Sequence, residues 1–440
     1  MNKQKVIDIL NSEMELATGC TEPAAIAFTA ATAAEHLSGE AVENICISAS
    51  GNMIKNAMAA GIPGTKFTGM EYAAAIGALG GNAQKKLQVI TGVDPAVYTQ
   101  AQKLVESGKV QVEVAKIPEK LYVDIVLHSA HHTARAVISG GHTNIVLVQE
   151  DGKTLFENKG CCTQAGGVSP EEIQSTLSVE KIFEFVQMID PKNDPLDIIR
   201  QSISVNTAIS EEGLKHDYGL KIGKTVREEL ENGIRGNDMI SNAVCVTTAA
   251  ADARMAGAPF AVVSNSGSGN QGITTTMPVV AAAKWLKSGE DKLIRAVTLS
   301  NLIAIYIKSK FGRLSALCGA TVAGTGAACG VTYLLGGGLK EISYAIQNMI
   351  GNVTGMLCDG AKADCALKIS TCTSAAMQAA FMAMKGLRIQ NTDGIIEEDV
   401  EKSIENFATL GNKGSVSIDS LILEMMIRKN KKPLHKNLAN

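Results

Sequence analysis

The sequence predicts an α+β protein, in which a mainly helical domain of buried, small-residue helices carries an inserted β-rich subdomain. Three observations predict it: long Ala- and Gly-rich stretches, helix-capping signals such as the SPEE segment at 169–172, and one central region rich in Val and Ile. We place the helical domain at residues 1–90 and 170–440 and the β-rich subdomain at residues 91–169. The 440 residues, 45% of them hydrophobic, suffice for a sizeable core.

Four segments of the central region are rich in Val and Ile and partly alternate apolar with polar residues, as half-buried strands do. They are residues 109–116, 121–127, 134–139 and 143–149. The dipeptide Asp151-Gly152 predicts a hairpin turn into a further strand at 154–156. Together these segments predict a small sheet.

Two charge-free runs, between Arg254 and Lys284 and between Arg313 and Lys340, are long enough to cross a bilayer. Both are rich in Gly, Ala, Ser and Thr, and the first contains the polar segment SGSGNQ at 266–271, which no lipid-facing helix would tolerate. We therefore expect buried helices around a polar pocket and no membrane partner. The N-terminal residues contain no apolar signal core, so we expect a cytoplasmic protein with reduced thiols.

The formal net charge of −3 argues against nucleic acid as a main partner, because no basic face stands out. We also expect the chain to form a homo-oligomer, a dimer.

Four of the ten cysteines attract attention. They are Cys20, in the segment TGCTEP at 18–23, and Cys318, Cys358 and Cys365 in the last third of the chain. Three grouped thiolates with a distant, removable fourth are a pattern of iron-sulfur clusters that keep one iron open. Spacing alone still favours ordinary buried cysteines, because no CxxC signature is present. Gly360 and its neighbouring aspartates predict a turn that would bring Cys358 and Cys365 together.

The remaining cysteines are assigned to structure. Cys46, Cys245 and Cys329 are expected in the core, and the adjacent pair Cys161-Cys162 is not expected to bind one metal. Cys372 lies in the segment STCTS at 370–374, which is typical of the capping start of a helix.

Two loops rich in Gly and Asn, SGNMIKN at 50–56 and SGSGNQ at 266–271, carry polar groups suited to a small ligand. The predicted substrate-binding residues are Ser50, Gly51, Asn52, Lys55 and Asn56 in the first loop and Ser266, Asn270 and Gln271 in the second. Lys55 would hold a carboxylate. Neither loop matches a Walker A or dinucleotide-binding motif, and loops of this kind are often simple turns.

Four histidines of the β-rich region, His128, His131, His132 and His142, invite a metal hypothesis. Adjacent histidines at a strand edge are more often surface residues, so we expect no metal there. One of the four could hydrogen-bond the substrate.

Several motifs together carry a family resemblance. They are residues 17–27, residues 50–56 with 61–65, residues 269–273, and the cysteines at 318, 358 and 365. As a set they resemble the L-cysteine desulfidase branch of the iron-sulfur serine dehydratase α-chain family. The resemblance implies one 4Fe-4S cluster held by Cys318, Cys358 and Cys365, with Cys20 capping the fourth iron at rest and acting as the catalytic base.

The resemblance further implies a lyase that converts L-cysteine to pyruvate, ammonia and sulfide by β-elimination. The bacterial serine dehydratases cap their cluster with a C-terminal cysteine, which residues 433–440 lack, so the desulfidase branch is favoured. L-serine dehydration is the alternative. Two rivals from other classes are a non-catalytic iron-sulfur redox sensor and a zinc-dependent lyase or hydrolase.

Overall fold

The structure, a computed structural model, describes residues 2–158, 168–311, 315–414 and 416–430. The α-helices of this described part are α1 (Lys3–Glu13), α2 (Thr21–Ala34), α3 (Gly51–Ala57), α4 (Met70–Gly80), α5 (Pro95–Glu106), α6 (Pro170–Thr176), α7 (Val179–Met188), α8 (Asp197–Lys215), α9 (Ile222–Glu231), α10 (Met239–Met255), α11 (Gly269–Trp285), α12 (Glu290–Phe311), α13 (Gly319–Leu334), α14 (Leu339–Val353), α15 (Cys365–Met384), α16 (Val400–Thr409) and α17 (Val416–Asn430). The strands are β1 (Leu16–Thr18), β2 (Asn44–Ala49), β3 (Val110–Val114), β4 (Tyr122–His128), β5 (Thr133–Ser139), β6 (Ile145–Glu150), β7 (Lys153–Glu157) and β8 (Ala261–Val263). The predicted α+β class is confirmed.

The central sheet has the strand order β3-β2-β4-β5-β6-β7. The β2–β3 pair is parallel and the other pairs are antiparallel. All five predicted strands are present, and Asp151 and Gly152 take φ values of 47° and 77° in the turn between β6 and β7. A hairpin turn with two left-handed residues matches the twist of its strands.

The sheet also contains β2, from a region that the sequence predicted to be helical. Its Ile45, Ile47 and Ala49 face the core, where they pack with α2 and α4. Cys46 is exposed on the opposite face, so the prediction that it is buried was wrong. Alternation of Ile45 and Ile47 with polar neighbours is the signal that would have revealed the strand. Because β2 lies outside 91–169, the sheet is not built from that segment alone, and the domain division stays a prediction.

The second and larger core lies among the C-terminal helices, including α7, α12, α13, α14 and α15. Most of α13 is buried, as expected for small-residue helices. Two of its buried threonine hydroxyls bond within the helix: Thr325 Oγ1 donates to the Thr321 carbonyl at 2.9 Å, and Thr332 Oγ1 donates to the Ala328 carbonyl at 2.7 Å. Among the described residues, every helix is too short or too polar to span a membrane.

A two-stranded sheet joins the beginning of the chain to its middle. Leu16 in β1 pairs with Val263 in β8, and Ser264 N donates to the Glu15 carbonyl at 2.8 Å. Thr21 Oγ1, at the start of α2, donates to the Gly267 carbonyl at 3.0 Å. These contacts place Cys20 beside the polar loop at 266–271.

Candidate functional site

Four helices begin around one pocket. Cys20 directly precedes α2, Ser268 precedes α11, Cys318 precedes α13, and Cys365 is the first residue of α15. All four residues line the pocket. The free N–H groups at helix N-termini carry partial positive charge, so their convergence favours anionic groups such as thiolates and carboxylates.

Cys318 and Cys358 are held together by a short antiparallel bridge. Leu317 lies opposite Leu357, Cys318 N donates to the Met356 carbonyl at 3.0 Å, and Cys358 N donates to the Ala316 carbonyl at 2.7 Å. Alternate residues of a strand point to the same face, so Cys318 and Cys358 are diagonal neighbours on one face. Both line the pocket.

The turn predicted between Cys358 and Cys365 is present. Gly360 takes a φ of 98°, and a Cβ atom there would lie 2.2 Å from the Lys55 carbonyl oxygen, so only glycine fits. The turn returns the chain to the pocket, where Cys365 Sγ lies 3.6 Å from the Gly360 carbonyl oxygen. All four predicted cysteines therefore line one pocket, which encloses about 880 Å³ of empty space, part of it open to solvent.

Four of the predicted substrate-binding residues line the same pocket: Asn56, Ser266, Asn270 and Gln271. Gln271 Nε2 donates to Asn265 Oδ1 at 2.9 Å, which leaves Gln271 Oε1 buried without a hydrogen-bond donor among the described residues. Asn56 Oδ1 is likewise buried without a hydrogen-bond donor among the described residues. Buried acceptors without donors are costly, so both oxygens favour a ligand or water that donates to them.

The other predicted residues of the first loop lie outside the pocket lining. Ser50 caps α3, accepting from Met53 N at 3.4 Å and donating to the Lys120 carbonyl at 2.7 Å. Gly51 and Asn52 form the first turn of α3. Their roles in binding stay predictions.

Lys55 is also absent from the pocket lining, although it contacts a cysteine that belongs to it. Its side chain is only 2% exposed; its Nζ atom lies 2.6 Å from Asp419 Oδ1 of α17 and 3.1 Å from the Cys358 carbonyl oxygen. The contacts made by Lys55 fasten the C-terminal helix and the loop of Cys358 to α3. Direct binding of a substrate carboxylate by Lys55 stays a prediction that these contacts do not favour.

Replacing Lys55 by methionine is expected to loosen α17, because the Asp419 carboxylate and the Cys358 carbonyl lose their shared donor. Asp419 is 17% exposed, so we expect a loss of roughly 2 kcal/mol, below the cost of breaking a fully buried pair. Limited proteolysis within 416–430, together with the unfolding midpoint, measures the effect. The double variant Lys55→Met/Asp419→Asn should recover part of the loss, and unchanged proteolysis of Lys55→Met would refute the role of the ion pair.

Three thiols of the pocket, those of Cys20, Cys318 and Cys365, have raised pKa values. Burial raises the pKa of Cys318 to about 12, with a further contribution from the charge of Cys358. Burial likewise raises the pKa of Cys365 to about 11. For Cys20, burial raises the pKa, and the charge of Arg254 partly opposes this rise. A cation bound directly to sulfur is the group that would displace these protons at neutral pH.

The donor set fits an iron-sulfur cluster in its chemistry. All four cysteines are free thiols in one pocket lined by helix N-termini. Within the described residues, no group of three or more His, Cys, Asp or Glu side chains is arranged to hold a metal ion. A cluster makes a different demand, because its thiolates bind different irons and lie farther apart than the ligands of one ion.

The histidines of the β-rich region lie in different surroundings. His131 Nδ1 lies 3.0 Å from Glu40 Oε1, and His132 Nδ1 lies 2.7 Å from Asp151 Oδ2; both histidines lie in the turn between β4 and β5. His142 is buried and lines the pocket. It is therefore the histidine placed to contact a ligand.

Three charged residues of the pocket lining were not predicted as site residues: Glu22, Arg254 and Lys308. In the sequence, Arg254 marks the boundary of a charge-free run, and Glu22 belongs to the segment around Cys20. The position of Arg254 at the boundary of a long uncharged stretch was the only sequence signal, and it is a weak one, because arginine is rarely buried without a partner.

The other described cysteines lie outside the pocket lining. Cys245 and Cys329 are buried, as predicted. Cys372 is buried inside α15, which starts at Cys365, so the predicted helix start at 370–374 was wrong. The pair Cys161-Cys162 lies outside the described residues.

Comparison with known families identifies one that matches most of the chain. The family described as "Serine dehydratase alpha chain" matches residues 84–424. The match includes Cys318, Cys358, Cys365 and Arg254. Cys20 and the loop at 50–56 precede it.

Similar proteins occur in several bacteria and carry the name "UPF0597 protein". The one from Oleidesulfovibrio alaskensis is 44% identical over 425 residues, which cover 97% of this chain and 98% of the relative. The one from Bacteroides thetaiotaomicron is 41% identical over 431 residues, with 97% and 98% covered. The one from Aeromonas hydrophila is 39% identical over 423 residues, with 96% and 95% covered. These similarities span nearly the whole chain.

Proposed function

The chain belongs to the serine dehydratase alpha chain family, and on this premise we propose that it is an iron-sulfur-dependent lyase that converts L-cysteine to pyruvate, ammonia and hydrogen sulfide. One observation carries the proposal: Cys20, Cys318, Cys358 and Cys365, which are far apart in sequence, line a single pocket. Elimination from L-serine is the alternative reaction of the same site.

Cys318, Cys358 and Cys365 would hold one 4Fe-4S cluster, and Cys20 would cap its fourth iron until substrate arrives. When bound, the cluster supplies a Lewis-acidic iron that favours departure of the group on the β-carbon. The four helix N-termini offset the negative charge of the thiolates and of a carboxylate substrate.

Cys20 is the proposed base. As a thiolate it takes the proton from the α-carbon, the Cα–H electron pair forms the Cα–Cβ double bond, and the Cβ–S bond breaks to release hydrosulfide. The product is aminoacrylate, which tautomerises to an imine. Addition of one water then gives pyruvate and ammonia. The charge of Arg254 assists this role, since it lowers the pKa that burial of Cys20 raises.

Protein purified without oxygen is expected to be brown, to contain about four irons per chain, and to release pyruvate and sulfide in equal amounts from L-cysteine. Iron analysis, absorbance and product assays with L-cysteine and L-serine test this. Faster turnover of L-serine than of L-cysteine would make L-serine the substrate, and the reaction would still be a β-elimination. Iron without turnover of either amino acid would favour the redox sensor, and full activity without iron would end the proposal.

A further inference from the structure

Arg254 is a buried charge without a nearby counter-ion. The residue is 5% exposed, at the C-terminal end of α10, and it lines the pocket. No carboxylate oxygen of the described residues lies within ion-pair distance of its guanidinium group. Burying an unpaired charge costs several kcal/mol, so such a group is typically completed by an anion.

Neutral partners fix the orientation of the guanidinium group. Arg254 Nη2 donates to the Gly19 carbonyl at 2.9 Å, and Nη1 donates to Asn270 Oδ1 at 3.0 Å and contacts Met255 Sδ at 3.5 Å. Its Nε atom has no acceptor among the described residues. A Cβ atom at Gly269 would lie 2.3 Å from Nε, so glycine there leaves space for the side chain. Arginine carries five N–H donors, and protein oxygens use two of them.

Glu22 supplies the opposite charge in the same pocket. It lies in the first turn of α2, lines the pocket, and accepts from Asn56 Nδ2 at 3.0 Å. Among the described side chains, no Lys, Arg or His nitrogen lies within ion-pair distance of its carboxylate. The pocket therefore presents one uncompensated cation and one uncompensated anion.

Both charges lie beside the same thiol. Arg254 Nη2 donates to the carbonyl of Gly19, which directly precedes Cys20, and Glu22 follows Cys20 by two residues in the first turn of α2. Arg254 and Glu22 thus lie within electrostatic reach of Cys20. An α-amino acid carries its carboxylate and its ammonium group on one carbon, the carbon that loses a proton in the proposed reaction.

We propose that Arg254 and Glu22 bind the zwitterionic head group of an α-amino acid, Arg254 holding the α-carboxylate and Glu22 the α-ammonium group. The inference rests on the proposed function for the chemistry that follows binding. Held at both groups, the substrate directs its α-carbon toward Cys20 and its β-substituent toward Cys318, Cys358 and Cys365.

The first test compares L-cysteine with L-cysteine methyl ester, which lacks the carboxylate charge, in the anaerobically prepared, iron-loaded protein. Arg254→Gln should lower kcat/KM for L-cysteine by on the order of 100-fold more than for the ester. Arg388→Gln is the matched control, because Arg388 pairs with Glu398 outside the pocket lining. An equal loss with both substrates would assign Arg254 to support of Cys20 and overturn the proposal.

The second test concerns Glu22 and uses 3-mercaptopropionate, which has the thiol and the carboxylate but no ammonium group. Glu22→Gln should weaken the binding of L-cysteine, because its ammonium group loses the Glu22 carboxylate. The same change should strengthen the binding of 3-mercaptopropionate, because this inhibitor brings no cation to pair with that carboxylate. The ratio of the two affinities should shift by on the order of tenfold or more. An unchanged ratio of the two affinities would remove Glu22 from the site.

A binding measurement separates this inference from the proposed function. L-alanine has the head group but no leaving group, so its binding to the iron-loaded protein can be followed by calorimetry without turnover. Binding that Arg254→Gln abolishes would support the head-group site even if no amino acid were converted; binding equal in both proteins, or absent from both, would overturn it. If Arg254→Gln does not fold, Arg254→Lys keeps the charge but loses the planar fork, and should lower L-cysteine turnover by roughly tenfold more than ester turnover.

Discussion

Replacing Cys318, Cys358 or Cys365 by alanine is expected to remove iron and turnover together. Each would be one of three firm ligands, and two remaining thiolates with a displaceable Cys20 cannot retain the cluster. The expected turnover is the background of the iron-free protein. Iron per chain, the visible absorbance of the cluster and pyruvate release measure the effect.

Loss of folding would also remove iron and turnover together. The structure indicates that these substitutions have only a small effect on folding. The Cys318 side chain makes no capping hydrogen bond to α13, so its removal costs on the order of 1 kcal/mol through a small cavity. Far-ultraviolet circular dichroism of the three variants should therefore match that of iron-free wild type. Cys46→Ala, at an exposed position on β2, is the control and should keep its iron and activity. Full iron content in any of the three pocket variants would remove that cysteine from the ligand set.

Local patterns predicted much of the fold and part of the site. Alternating Val and Ile located the strands β3 to β6, because side chains of a strand alternate between two faces whatever the strand pairs with. The Asp151-Gly152 turn located β7. Gly360 located the turn that returns Cys365 to the pocket, because a left-handed backbone position selects glycine. These signals are contained within a few neighbouring residues.

The contacts that complete the pocket are not local. β1 and β8 pair residues 16–18 with 261–263, and both strands have only three residues, too few to show a periodic pattern. Lys55 shows the same difficulty. Its glycine- and asparagine-rich surroundings are typical of a ligand-binding loop, but whether its ammonium group meets a substrate or Asp419 depends on a helix 364 positions away. Arg254 shows the opposite case. Its neighbours in sequence form an ordinary helix end, and only the folded chain brings it to the pocket.

Replacing Cys20 by alanine is expected to separate iron binding from turnover. Cys20 precedes α2 without a side-chain capping bond, so the helix should form normally in the variant. Three ligands remain, so most of the iron should stay bound. Without its base the protein should turn over L-cysteine more slowly by on the order of a hundred- to ten-thousand-fold. Iron analysis and single-turnover pyruvate formation on the same sample measure both quantities.

Cys20→Ser is the matched control, because a hydroxyl occupies almost the same space and is a far weaker base than a thiolate. It should retain iron and remain nearly as slow as Cys20→Ala, which would attribute the loss to proton transfer and not to a cavity. Near-normal turnover by Cys20→Ala would show that another pocket residue removes the α-proton. Glu22 and His142 line the same pocket and carry groups able to accept a proton, so their substitution in the Cys20→Ala background would identify that base.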